Sequence, residues 1–197
     1  MLVHEVMTPK PVTVRAETHV KDALELLNKH SITMLPVVSE DGTLIGVLSE
    51  VDLLVGRVVP DARATLRVHT EEDSEEDPHA AVGSLMTSLA MTANEDTDVA
   101  EVTKLMTTTG VKSLPVVDAD RRVVGVISRR DIVRMMSRSD ADIEQELSTL
   151  FSRLDFDWQV EVDEGYVRII GPLEAHDRSL ALAAASTVPG VVKVQIG

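Results

Sequence analysis

Apolar residues recur at helical spacing at Val20, Ala23, Leu24 and Leu27, which predicts a helix opening near Thr18 or His19. Leu35-Pro36-Val37-Val38 then starts a strand, Asp41-Gly42 is a hairpin turn signal, and residues 43–48 return as the partner strand. A second helix opens at Ser49. The same order recurs 79 residues on, with Val99, Val102 and Met106 in the helical places, Leu114-Pro115-Val116-Val117 as the strand and Ser128 at the second opening. Residues 6–54 align with 85–133 without a gap, and 15 of the 49 positions are identical. An ungapped repeat of this kind marks duplicated units that fold alike and pack on each other. Each copy reads as a β–α–β–β–α unit.

Past Ser139 the pattern changes. Ser139 or Asp140 caps a predicted helix running to about Arg153, with Ile143, Leu147 and Leu150 on one face. Residues 159–162 and 166–170 alternate as strands around the turn Asp163-Glu164-Gly165. An Ala/Leu-rich helix is predicted over 175–187, and Pro189-Gly190 turns into a last strand, 191–196. All four aromatic residues, Phe151, Phe156, Trp158 and Tyr166, lie in this tail, which argues for a separate domain. The fold class expected is α/β in the α+β sense: two pseudo-symmetric β–α–β–β–α repeats forming one module, plus a small α–β–β–α–β domain.

The candidate chemistry sits where each second helix opens. Both copies carry Gly-x-x-Ser-x-x-Asp there: Gly46, Ser49 and Asp52, then Gly125, Ser128 and Asp131. One reading is a capping box, in which serine and acid satisfy backbone groups of the first turn. The other uses the same geometry for a ligand, since a helix N-terminus with free amides favours phosphate and a nearby carboxylate can hold a sugar diol. The spacing does not separate the two.

These motifs, with the openings Val6-Met7-Thr8 and Leu85-Met86-Thr87 and the two Leu-Pro-Val-Val-type strands, resemble a tandem pair of CBS domains, or Bateman module, over roughly residues 1–138. The resemblance implies a pseudo-twofold pair with two clefts for adenosine-containing ligands. It implies that Asp52 and Asp131 bind ribose hydroxyls and that Ser49 and Ser128 bind phosphate. It further implies that each cleft borrows from the opposite repeat: Ser128 and Asp131 with Thr8, Val12 and Ile32, and Ser49 and Asp52 with Thr87, Met91 and Val111. With no aromatic residue before 151, an adenine base would rest on aliphatic side chains such as Val12, Ile32, Met91 and Val111. The tail resembles a BON domain through Gly165-x-Val167-x-Ile169-x-Gly171 and Pro189-Gly190-Val191-x-x-Val194. That family is often proposed to bind phospholipid, and no residue of the tail is assigned a site.

Charge narrows the partners. The net charge is −14, of which residues 61–84 carry −5, residues 139–197 carry −7 and residues 85–138 carry +1. Nucleic acid is an unfavoured partner, because its binding is driven by phosphate neutralisation. Eleven acids against four bases in the tail also disfavour an anionic membrane surface. Arg129 and Arg130 beside Asp131, against Glu50 beside Asp52, predict that the Ser128 opening takes phosphate-rich ligands such as ATP or ADP. In this reading Arg130 faces the phosphate and Glu50 repels it.

The run of six acids over residues 70–77 reads as a solvated loop, with a cation site as the sharper alternative. There are no cysteines, no basic and apolar leader, and no apolar run of transmembrane length, so a cytoplasmic protein is expected. The six histidines sit in no motif with a nucleophile, and no metal site is assigned. The expected organisation is repeat one over 1–60, an acidic linker over 61–84, repeat two over 85–138 and the BON-like domain over 140–197. The function expected is a non-catalytic regulatory sensor of AMP, ADP or ATP, without a required cofactor and acting as a homodimer. The alternative is an assembly or envelope-tethering protein with vestigial clefts.

Overall fold

The computed structural model describes residues 1–54, 80–171 and 174–197. The acidic run at 71–77, with both of its readings, lies outside them. In chain order the elements are α1 (Val3–Val6), β1 (Thr8–Pro9), α2 (Val20–His30), β2 (Met34–Val38), β3 (Leu44–Ser49), α3 (Glu50–Leu54), β4 (Ala93–Asn94), α4 (Val99–Thr109), β5 (Ser113–Val117), β6 (Val123–Ser128) and α5 (Arg129–Met136). The tail adds α6 (Asp140–Arg153), β7 (Gln159–Asp163), β8 (Tyr166–Ile170), α7 (Ala175–Ala185) and β9 (Lys193–Ile196). They form two compact units: Thr8–Glu95 with Val111–Ile127, and Met1–Met7 with Asp96–Gly110 and Ser128–Gly197.

The first unit holds both strand pairs. β2 and β3 run antiparallel, and β5 and β6 lie within a sheet of order β1-β6-β5-β4. The short outer strands explain how two copies of one sequence interlock. Thr8 in the opening of copy one pairs with Val126 of copy two, while Thr87, its counterpart, bridges Val47 of copy one. On the other edge each copy supplies its own strand: Val14 bridges Val37 in parallel, and Ala93 pairs with Val116 in the same way. The hairpin ends meet at Thr43 and Arg122, which are themselves counterparts, with Leu44 N–H donating to Arg121 O at 2.9 Å and Val123 N–H to Gly42 O at 3.2 Å.

The same exchange ties the helix openings. Val82 N–H donates to Thr18 O at 2.8 Å just ahead of α2, so residues 80–84, at the end of the segment expected to be linker, are built onto copy one. Val82 is fully buried among Val20, Ala23, Leu27 and Leu35. In the second unit Val3 N–H makes the matching bond to Thr97 O at 2.9 Å ahead of α4.

α2 buries Val20, Ala23 and Leu27 and leaves Leu24 37% exposed. At 100° per residue Leu24 stands on the outer flank of that stripe, opposite Ala23. The tail has the expected α–β–β–α–β order, with β7 and β8 antiparallel and β8 and β9 parallel. Its core gathers Ile143, Leu147 and Phe151 of α6 with Trp158, Val167, Ile169 and Ala181. Phe151 takes the fully buried place expected of Leu150, which is only partly covered. Trp158 stacks on Phe156 at 3.9 Å and meets Phe151 edge-on at 5.0 Å. Gly171 has no side chain because a Cβ there would lie 2.6 Å from Trp158 Cδ1. Asp140 accepts the amides of Glu164 and Gly165, each at 2.9 Å, and so fixes the β7–β8 turn to the start of α6.

Candidate ligand sites at the two serine–aspartate helix openings

Ser49 ends β3 and Ser128 ends β6, so in each copy a strand delivers the serine to the first turn of a helix. Asp52 Oδ2 accepts the Ser49 amide at 2.7 Å and the Ser49 hydroxyl at 2.6 Å. Asp131 Oδ2 accepts the same two donors of Ser128 at 2.8 and 2.6 Å. The capping reading therefore describes the acid's hold on the serine in both copies. It uses one carboxylate oxygen and leaves the second to decide what else the site can do.

The set assigned to Ser49 lies within the first unit. Val47, two residues ahead of Ser49, exchanges amide and carbonyl bonds with Thr87 at 2.9 and 3.0 Å. Gly46 is glycine for this crossing, since a Cβ on it would sit 2.9 Å from both Met86 Sδ and Thr87 O. Glu50 N–H donates to Thr33 O at 3.0 Å, and Thr33 Oγ1 lies 3.4 Å from Ser113 Oγ. Lys112, next to Val111, forms an ion pair with Glu50. β3 thus meets Thr87 of the other copy, and the opening of α3 meets that copy's Lys112. Met91 is 45% exposed, and Val111 is half-buried.

The set assigned to Ser128 is divided: Thr8, Val12, Ile32 and Gly125 belong to the first unit, and Ser128, Arg130 and Asp131 to the second. Pro9 pairs with Gly125 on β6, and Val12 and Ile32 pack half-buried against the core of copy one. Asp131 is 4% exposed, the one buried charged residue among those described. Its Oδ1 accepts the Arg134 guanidinium at 2.5 Å.

Two charge expectations change. Glu50 does not stand as a bare negative charge, because Lys112 neutralises it. Arg129 is directed to the C-terminal end of α4, where it donates to Met106 O at 2.8 Å beside the Gly110 amide, which donates to the same carbonyl at 3.1 Å. Arg130 is exposed. Lys112 and Arg134 were not singled out from the sequence. Arg134 was within reach, as a basic residue three positions after an acid on one helix face. Lys112 gave no such signal, because its partner comes from the other copy.

A family model of the CBS domain matches residues 3–57 and 82–138. The chain belongs to the CBS domain family. Among relatives of the CBS pair, the chloroplastic CBS domain-containing protein CBSX2 of Arabidopsis thaliana is 34% identical over an alignment of 147 residues that covers 67% of this chain and 62% of that protein. The chain thus spans under two thirds of that relative's length. Two solved CBS structures share the fold. CBSX2 in complex with AMP is 32% identical with a TM-score of 0.56, over 68% of this chain and 93% of the other. The CBS domain pair of protein MJ0100 in complex with 5′-methylthioadenosine and S-adenosyl-L-methionine is 29% identical with a TM-score of 0.56, over 68% and 94%.

Proposed function

We propose that this chain is a non-catalytic regulatory protein that binds adenosine-containing ligands, AMP, ADP or ATP among them, at the Ser49–Asp52 and Ser128–Asp131 openings. The observation that carries this reading is the twice-built opening itself. In each copy a buried or half-buried carboxylate is oriented by its serine at the start of a helix, in a family whose solved relatives hold AMP, methylthioadenosine and S-adenosylmethionine. The carboxylate suits a ribose diol, and the helix opening suits an anion or a polar group. What those three ligands share is adenine on a ribose ring with its 2′,3′-diol, so that part of adenosine is the common recognition element.

The tail's α–β–β–α–β order supports reading it as a BON-like domain whose placement or partner responds to ligand. A homodimer is supported by Leu54 and Val133, the same position in the two copies, which are 58% and 62% exposed. A cytoplasmic setting is part of the same proposal. Among the described residues no helix is long and apolar enough to cross a membrane.

Thermal unfolding with and without millimolar AMP tests the reading. A ligand at 100 times its Kd stabilises by about 2.7 kcal/mol, which is a rise of several degrees in Tm. No rise with AMP, ADP, ATP or S-adenosylmethionine returns the field to the assembly role with vestigial sites.

A further inference from the structure

The two openings are one motif in two electrostatic states. At Asp52 the Oδ2 atom holds Ser49, and among the described residues Oδ1 has no partner. At Asp131 the Oδ2 atom holds Ser128 and Oδ1 holds the Arg134 guanidinium. The asymmetry is written in the sequence, because the position three residues after Asp52 is valine. A carboxylate takes a vicinal diol by accepting from both hydroxyls. At Asp52 the second oxygen is open to this, whereas at Asp131 the diol must share it with a charged donor, and hydrogen bonds from charged donors are the stronger kind.

We infer that Arg134 is a latch on Asp131 that makes the two sites inequivalent, so that the Asp52 opening takes the ribose first and the Asp131 opening binds more weakly until Arg134 withdraws. This rests on the adenosine reading and adds an order to it. The latch can open without unpacking the helix, since the Arg134 side chain is 63% exposed while the carboxylate it holds is 6% exposed. An arginine reaching in from solvent is screened by salt more than a fully buried pair would be. For phosphate-bearing ligands the Glu50–Lys112 pair acts in the same direction, by offsetting the negative charge that would repel phosphate at the first site.

Adenosine itself is the right probe, because it has no charge and salt then acts on the latch alone. Calorimetric titration of the intact chain is expected to resolve a tighter and a weaker event. Asp52→Asn removes the tighter one. Arg134→Met tightens the weaker one about two- to fivefold at low salt, in line with the worth of a partly exposed ion pair. Raising the salt tightens the weaker event in the wild-type chain and leaves Arg134→Met unmoved, and Arg134→Lys behaves as wild type. A purely structural arginine would give a lower melting temperature and no such salt dependence. Unchanged or weaker adenosine binding in Arg134→Met, or a tight event that survives Asp52→Asn, overturns the latch. Absence of adenosine binding by every protein in the series is a different failure, which overturns the adenosine reading and takes the latch with it.

Discussion

At Gly46 the nearest neighbours of an added methyl group are the Met86 sulfur and the Thr87 carbonyl, both at 2.9 Å. The thioether can turn away, but the carbonyl is part of the bridge to Val47 and cannot. Gly46→Ala is therefore expected to cost about 1–3 kcal/mol, as overpacking of a tight crossing does. A Tm unchanged within a degree would refute it. Asp41 gives a second test at this scale. The Ser39 hydroxyl donates to it at 2.5 Å, and with the amide and hydroxyl of Thr43 this lowers its pKa to about 2. A carboxyl lowered in the folded state contributes stability above its unfolded pKa of about 3.9 and loses that contribution as the pH falls through 2. An NMR titration should place the Asp41 midpoint near 2, and Ser39→Ala should move it upward. A midpoint near 4 in the intact chain would mean the turn is not formed in solution. The glycine and acid of each motif were legible as residues that matter. Their physical duties were not, because Gly46 answers to a strand from the other copy and Asp131 to Arg134.

Secondary structure was the most legible level, since period and turn signals are local. The tail shows both the reach and the limit of such reading. Ile143 and Leu147 were expected inside and are there, while Phe151 displaced Leu150 from the buried stripe. Periodicity admits 147, 150 and 151 almost equally, and the choice is made by Trp158, which offers an aromatic edge to a ring and nothing comparable to a leucine. Phe151→Ala should accordingly cost the tail about 3–5 kcal/mol. Trp158 is the single tryptophan, so its fluorescence isolates this domain: the tail's transition should shift to lower denaturant. An unshifted emission transition would show that the aromatic cluster does not hold the domain.

The duplication made the architecture of the whole molecule readable, and its interlocking was hidden for the same reason. A repeat states that two units match, but not which edges they trade. The exchange of openings has a measurable result. A fragment of residues 80–197 loses the Val3–Thr97 and Val99–Met1 bonds ahead of α4 and the β1 strand beside β6. It also carries Val82 without the core that buries it. Such a fragment is expected to show no cooperative unfolding transition for the second repeat, although the tail's fluorescence transition persists. A sharp transition in far-UV circular dichroism beyond the tail's own would show that one repeat folds alone.

The Thr8–Val126 pairing also governs the molecule's birth. On a ribosome adding about 5–20 residues per second, Thr8 leaves the exit tunnel and waits roughly 5–25 s before Val126 follows it. Through that interval copy one can close its own hairpin and the Val14–Val37 bridge, but its leading segment has nothing to pair with. The Thr8 strand is thus made well before the strand that secures it.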